Sequence, residues 1–127
     1  MKPSTREWVV KAEEDFATAQ ALARPRKKPL WGRVGFHIQQ CIEKYLKARL
    51  NESGTVFSKT HALDQLLNQT IAVEPLWSSF QPALKQISDF AVQPRYPGFV
   101  VTKSEATKAL KIVRAFRKEA RASLGLK

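Results

Sequence analysis

The sequence predicts an all-α protein, an antiparallel up-and-down four-helix bundle with an additional short helix. Apolar residues recur every three to four positions in four long stretches, which is the spacing of an amphipathic helix. Prolines and glycines separate these stretches, and no alternation of apolar and polar residues is long enough to require a sheet. A chain of 127 residues holds one core, so we expect a single domain over residues 1–127.

The first two helices are predicted over residues 4–24 and 30–51. Ser4 and Glu7 have the spacing of a capping box, and Pro25 ends the first helix because proline disfavours helical geometry in the residue before it. Gly54 ends the second. The apolar stripe of the first helix consists of Trp8, Ala12, Phe16, Ala19 and Ala23. The stripe of the second consists of Ile38, Cys41, Ile42, Tyr45, Leu46 and Leu50.

A short third helix is predicted at residues 61–67, with Thr60 as its N-cap. In the fourth helical stretch, Pro82 either kinks the helix or delays its start to about Phe80. The last helix begins at Thr102, which forms a second capping box with Glu105. The fourth apolar series consists of Leu76, Phe80, Leu84, Ile87 and Ala91. The inner side of the last helix consists of Ala106, Ala109, Leu110, Val113, Phe116 and Ala120.

Composition restricts the class of protein. The single cysteine, Cys41, excludes an internal disulfide and a zinc site built on paired cysteines, so we predict no metal or other cofactor. The first residues lack the apolar core of a signal peptide, and no apolar run approaches the roughly 20 residues that span a bilayer. We therefore expect a cytoplasmic protein that makes no membrane contact.

Positive charge dominates the sequence, with 22 Lys+Arg against 11 Asp+Glu and a formal net charge of +11. Such an excess attracts an anionic partner: nucleic acid, a nucleotide or an acidic protein surface. The alternative is a basic protein whose charge serves solubility alone. On the last helix five cations fall within about 80° of one another at 100° per residue. These residues are Lys103, Lys111, Arg114, Lys118 and Arg121.

The second helix carries a polar stripe whose spacings of three and four residues place its members on one face. Imidazole, amide and ammonium groups in such a row suit a phosphate together with a base edge or ribose. The alternative is that they satisfy local hydrogen bonds at a helix interface. The stripe consists of Arg33, His37, Gln40, Lys44 and Lys47.

Three motifs together resemble the HEPN (higher eukaryotes and prokaryotes nucleotide-binding) domain family. Residues 36–48 read FHIQQCIEKYLKA and are similar to the second-helix signature of that family. Residues 59–63 (KTHAL) resemble its Lys-Thr-His-Asp-Leu segment, and residues 95–97 (RYP) resemble its Arg-Tyr-Pro turn. Residues 12–15, with Ala19 and Leu22 after them, are similar to its opening helix. The resemblance covers nearly the whole chain.

The resemblance implies a helical bundle that forms a homodimer and binds a nucleotide or RNA. It also implies a small nucleotidyltransferase as partner, in a toxin–antitoxin pair. Some members of the family are metal-independent ribonucleases with an Arg followed, after four to six residues, by a His. This sequence departs from that pattern, because no histidine follows Arg95 and only three residues separate Arg33 from His37.

Three functions from different classes remain open. A binding module would engage nucleotide, RNA or the nucleotidyltransferase through its basic helical face, and this is the function we predict. A ribonuclease toxin would use His61 or His37 as base, with His61 as the candidate catalytic residue, although His61 also suits a structural position at a helix start. The third is a non-catalytic structural interaction domain. The predicted nucleotide-binding residues are Arg33, His37, Gln40, Lys44, Lys59, His61, Arg95 and Tyr96.

Overall fold

The computed structural model describes residues 1–92, 97–98 and 100–127, with the backbone alone at residues 90–92. Within these ranges all regular secondary structure is helical, which confirms the predicted all-α class. The long helices are α1 (Pro3–Leu22), α2 (Trp31–Glu52), α4 (Gln81–Val92) and α5 (Lys103–Ser123). The short helix α3 spans Leu63–Thr70, and a 3-10 helix, Pro75–Phe80, leads directly into α4.

The directions of the long helices follow from contacts near their ends. The backbone N–H of Lys2 donates to Glu52 Oε1 at 3.0 Å, so the start of α1 meets the end of α2 and the two helices are antiparallel. Arg49 Nε donates to Ser123 Oγ at 2.8 Å, which places the C-terminal ends of α2 and α5 together. The α1–α2 loop and the N-termini of α2 and α5 therefore lie at one end of the bundle.

The direction of α4 follows from its contacts with α3 and α5. The ring of Phe80, at the start of α4, packs on Phe116 late in α5 with centroids 5.2 Å apart. Ile87, further along α4, shares a groove with Ala109 early in α5, so α4 and α5 are antiparallel. The N–H of Leu63 donates to Ser88 Oγ at 3.1 Å and fixes the start of α3 against α4. The bundle is up-and-down, as predicted.

The core is centred on α2, which packs against every other α-helix. More than half of its residues are buried, including the fully enclosed Tyr45 and Leu46. The predicted inner side of the last helix is confirmed, since all six of its residues are buried. Burying this apolar surface is the main force that holds the helices together.

Two helix starts differ in their capping. The predicted capping box at Thr102 is confirmed, with Glu105 N–H donating to Thr102 Oγ1 at 3.1 Å and Thr102 N–H donating to the Glu105 carboxylate at 3.0 Å. The predicted box at Ser4 is wrong, because α1 already begins at Pro3 and no side chain caps it. Proline fits the first helical turn, where its missing N–H costs nothing. Ser4 Oγ instead accepts a hydrogen bond from Asn51 Nδ2 at 2.8 Å.

The fourth helical stretch corrects one predicted core residue. Helix α4 begins at Gln81, so Pro82 lies in its first turn and causes no kink. The preceding 3-10 helix has three residues per turn instead of 3.6, which rotates its side chains relative to an α-helix. Leu76, predicted to be apolar core, is 87% exposed, while Trp77 is buried against Phe116.

The short helix α3 also starts later than predicted. It begins at Leu63, two residues after His61, and its N-cap residue is Ala62 rather than Thr60. Thr60 still acts at this turn, since its Oγ1 accepts the N–H of Ala62 at 3.1 Å. The hydroxyl therefore organises the turn before the helix, which leaves His61 in the connecting segment.

Candidate functional site

Asp15 of α1 binds two members of the predicted polar stripe on α2. Its carboxylate accepts a hydrogen bond from His37 Nδ1 at 2.8 Å and another from the Lys44 ammonium. Asp15 is buried, and the His37 and Lys44 side chains are each about one-fifth exposed. The three side chains form a clamp between α1 and α2. Phosphate binding by His37 or Lys44 would compete with this clamp.

The other stripe residues have different surroundings. Arg33, in the first turn of α2, is exposed, while Gln40 is half-buried. Lys47 is buried, with its ammonium 3.1 Å from Glu43 Oε2 and 5.5 Å from the ring centroid of Trp8. The stripe exists as the spacing predicts, but most of its length faces neighbouring segments of the same chain.

Glu43 forms the centre of a second polar cluster, which also contains Gln39, Lys47 and His61. Gln39 Nε2 donates to Glu43 Oε1 at 3.1 Å and to the backbone oxygen of His61 at 2.8 Å. His61 Nδ1 lies 3.0 Å from Glu43 Oε1. A buried carboxylate with this many donors is well satisfied. The cluster anchors the segment before α3 onto α2.

His61 differs from the rest of its cluster in exposure. Its side chain is 79% exposed, whereas the Glu43 side chain that orients it is 4% exposed. Its Nε2 has no hydrogen-bond partner within the described ranges. A carboxylate beside Nδ1 fixes the orientation of the ring and favours the tautomer with a proton on that nitrogen. This geometry can accept or donate a proton at Nε2, or bind an anion.

The remaining predicted contact residues are dispersed. Lys59 is exposed, two residues before His61 in the same segment. Arg95 and Tyr96 lie outside the described residues. The structure therefore brings His37 together with Lys44 through Asp15, and places Lys59 near His61 along the chain. It joins none of these pairs to Arg33.

A third network, centred on Glu13, did not emerge from the sequence. Arg117 donates two hydrogen bonds to the Glu13 carboxylate, from Nε to Oε2 at 2.7 Å and from Nη2 to Oε1 at 2.6 Å. The Tyr45 hydroxyl donates to the same carboxylate. Arg121 Nη1 reaches the Tyr45 hydroxyl at 3.3 Å. Arg117 and Arg121 are four residues apart, so the sequence indicates that they share one face of a helix. Their acidic partner, Glu13, is about 100 residues earlier in the chain.

This network shifts several pKa values. The hydrogen bonds from Arg117, joined by that from Tyr45, hold the pKa of Glu13 below its ordinary value of 4.5, while burial acts against this shift. The bonds to Glu13 raise the pKa of Arg117. Burial, and then the bond to Glu13, raises the pKa of the Tyr45 hydroxyl. At neutral pH Glu13 therefore stays ionised, Arg117 stays charged and the Tyr45 hydroxyl stays protonated.

Glu13 should make stability depend on pH in a defined window. Its folded-state pKa is lower than its unfolded value, so its contribution is complete above about pH 4.5 and disappears as pH falls through the folded value. We expect the difference in unfolding free energy between wild type and Glu13→Gln to shrink from pH 7 to pH 3. Urea titrations at each pH measure it, with the exposed Glu14→Gln as control. A difference that grows on acidification would contradict this assignment.

Two groups of exposed cations lie close together along the chain, one on α5 and one in the α1–α2 loop. Four of the five predicted α5 cations are exposed, while Arg121 is drawn into the Glu13 network. No carboxylate within the described ranges forms a salt bridge with those four. The loop contributes further exposed cations. The α5 row, as we call it below, consists of Lys103, Lys111, Arg114 and Lys118. The basic loop consists of Arg24, Arg26, Lys27 and Lys28.

The described residues offer no cluster of three or more His, Cys, Asp or Glu side chains suited to a metal ion. Across the same ranges, none of the helices is both long and apolar enough to cross a membrane. Cys41 is buried, as its position in the apolar stripe predicts, and desolvation raises the pKa of its thiol. A buried, protonated thiol behaves as a small apolar side chain and is a poor nucleophile.

Known proteins show where the chain belongs. A protein of Methanocaldococcus jannaschii named "Putative toxin MJ1304" is 29% identical over 97 residues. The aligned region covers 71% of this chain and 61% of the relative, so the chain spans about three-fifths of the relative's length. No solved structure matches the chain significantly. The family model of the HEPN domain matches residues 5–123, nearly the whole chain, and the protein therefore belongs to the HEPN domain family.

Proposed function

We propose that this HEPN protein is a toxin-type module that binds RNA or a nucleotide by its phosphates, through the α5 row and the basic loop. The name of the M. jannaschii relative supports the toxin class. The excess of 22 basic over 11 acidic residues supports an anionic ligand. The main support for this surface is that the exposed cations of the α5 row have no salt-bridge partner in the described part of the chain.

The distribution of acidic residues explains why this surface remains positive. The carboxylates of Glu13, Asp15 and Glu74 each bind a cation of another segment, and Glu43 binds Lys47 one turn along α2. These bonds stabilise the bundle and leave the outward-facing lysines and arginines uncompensated. The N-terminus of α5 and the basic loop lie at the same end of the bundle, because α2 and α5 are parallel. A flexible polyanion could contact both.

Several predicted contact residues remain part of the proposal. Arg33, Lys59 and His61 are exposed and available to a phosphate. His37 and Lys44 could contact a phosphate only by releasing Asp15, so we rank them below the exposed residues as proposed contacts. Gln40 is half-buried beside them. We retain Arg95 and Tyr96 as proposed contacts on the resemblance of residues 95–97 to the family's Arg-Tyr-Pro turn.

We further propose that the protein acts in the cytoplasm, as a homodimer paired with a small nucleotidyltransferase in a toxin–antitoxin system. The family membership supports this assignment, and the basic surface offers such a partner an electrostatic attraction. Co-expression with the product of the neighbouring reading frame, followed by size-exclusion chromatography with light scattering, would detect both associations. Monomeric protein that never co-elutes with that product would contradict this part of the proposal.

Neutralising the α5 row should weaken RNA binding. In the triple variant Lys111→Gln, Arg114→Gln and Lys118→Gln, we expect the salt dependence of RNA affinity to fall by about 2 to 3 units of log K per log[salt]. The variant neutralises fewer phosphates, so fewer counterions are released when RNA binds. Fluorescence anisotropy with labelled tRNA between low and moderate salt measures this slope.

The matched control removes the same charge elsewhere. Arg6→Gln and Lys11→Gln on the outer face of α1, combined with Lys85→Gln on α4, change three exposed cations without touching the α5 row. This control should leave the slope nearly unchanged. Equal losses in both triple variants would show that net charge, not the α5 row, governs binding. Complete absence of nucleotide and RNA binding in the wild type would favour the structural interaction domain.

The Glu43–His61 geometry favours a second candidate, a metal-independent ribonuclease with His61 as general base. A carboxylate-oriented imidazole with an exposed Nε2 is suited to take the proton of a 2′-hydroxyl. Incubating the pure protein with total RNA in the presence of a chelator tests it. Cleavage that disappears in His61→Asn, with RNA affinity retained, would establish this function; intact RNA with the wild type would reject it.

A further inference from the structure

The α5 row places its charges along one side of a single long helix. Lys103 to Lys118 span 15 residues, or about 22 Å along the helix axis at 1.5 Å per residue. Lys111, Arg114 and Lys118 follow one another at about 4.5 and 6 Å along that axis. The Thr102 capping box fixes the start of the helix, and its apolar side is buried in the core. A row held in place on one helix suits a ligand whose phosphates are also held in place, because such a ligand loses little conformational freedom on binding.

The α5 row and the basic loop lack the other feature that single strands require. Proteins that bind single-stranded nucleic acid stack its bases on aromatic side chains. Phe116 is the one aromatic residue of α5, and it is fully buried. The basic loop, between α1 and α2, contains no aromatic residue. These two elements offer charges and no stacking platform.

Hydroxyl groups accompany the charges on the same side of α5. Thr107 lies between Lys103 and Lys111 and is exposed, and its Oγ1 donates to the backbone oxygen of Lys103 at 2.8 Å. This bond uses the hydroxyl proton and leaves the oxygen free to accept. Ser104 is exposed beside it. Acceptors of this kind can receive a hydrogen bond from a ribose 2′-hydroxyl, which distinguishes RNA from DNA.

Acidic residues of α5 are kept away from the α5 row. At 100° per residue, Glu119 lies about 100° around the helix from Lys118. Glu105 lies still further round and is held in the capping box by Thr102 N–H. The side that faces solvent between Lys103 and Lys118 therefore presents no carboxylate of α5 to repel a phosphate backbone.

We propose that the α5 row docks on the sugar–phosphate backbone of double-stranded RNA, contacting phosphates and 2′-hydroxyls without reading sequence. A-form RNA presents a wide, shallow minor groove with regularly placed phosphates and 2′-hydroxyls. A long helix with a row of cations and two hydroxyls on one side matches that regular surface. The inference rests on the proposed RNA binding and narrows it to duplex segments of structured RNA.

The test compares an RNA duplex of about 16 base pairs with an unstructured single strand of equal length, both fluorescently labelled. We expect the duplex to bind about 10-fold more tightly than the single strand, and a shuffled duplex to bind as well as the first. The α5 triple variant should lose this preference, while the α1/α4 control variant keeps it. A DNA duplex of the same sequence should bind more weakly than the RNA duplex.

The outcomes separate the two proposals. Tighter binding to the single strand, or a duplex preference that survives in the α5 triple variant, would overturn the duplex inference while leaving RNA binding intact. Strong discrimination between duplex sequences would also overturn it, since backbone contacts carry no sequence information. No measurable affinity for any RNA would overturn both proposals together.

Discussion

Replacing Glu43 with glutamine should lower the free energy of unfolding by about 3 kcal/mol, because it leaves the buried Lys47 ammonium without its counter-charge. The Glu43 side chain is almost fully enclosed, so water cannot substitute for the lost carboxylate. The orienting bond to His61 weakens as well. Urea titration monitored by circular dichroism measures the change, and we expect the midpoint of thermal unfolding to fall by about 10 °C.

Two variants make this prediction specific. Glu119→Gln removes an exposed carboxylate of α5 and should change stability by less than about 0.5 kcal/mol. Adding Lys47→Met to Glu43→Gln removes the unpaired ammonium and supplies an apolar side chain against Trp8 and Phe57, so stability should partly recover. A double variant less stable than Glu43→Gln alone would show that the buried charge is not the cause.

Truncating Phe116 to alanine should cost about 4 kcal/mol, through lost apolar burial and the cavity left behind. Its ring is fully buried between Trp77 and Phe80, with centroids 5.3 and 5.2 Å away in edge-to-face geometry. Such aromatic pairs add stabilisation beyond their area. The same substitution should loosen the 3-10 helix at Trp77, which a loss of tryptophan fluorescence intensity or a red shift would report.

Two comparisons separate packing from the mere removal of a ring. Phe36→Ala removes a half-buried ring on α2 and should cost less than half as much. Phe116→Leu keeps part of the volume and should recover at least half of the loss. Equal destabilisation by Phe36→Ala and Phe116→Ala would contradict the central packing role assigned to Phe116.

Local sequence signals predicted the helices well where the chain itself contains the cause. Apolar spacing identified α2 to within one residue at each end, and Thr102 with Glu105 identified the start of α5. The errors arose where two local signals compete. Helix α1 begins at Pro3, before the capping pair predicted at Ser4. In the 3-10 helix, Trp77 is buried in the core and Leu76, which was predicted there, is exposed.

The candidate site was less predictable, because its partners are distant in sequence. Helical spacing correctly grouped His37 with Lys44, but gave no indication that Asp15 would bind both. The Glu13–Arg117 pair joins residues 104 positions apart. A single sequence carries no signal for such pairings, since any acidic residue on α1 could have met any cation opposite.

The sequence alone determined the helical class, the family resemblance and the large positive charge, because each depends on composition or on spacing within one helix. Only the tertiary structure decided which cations form ion pairs with carboxylates of the same chain. Burying a carboxylate is favourable only beside a cation, so Asp15 and Glu13 took partners from other helices when the helices packed. What remains exposed on α5 and in the basic loop is the charge that no buried carboxylate in the described part of the chain required.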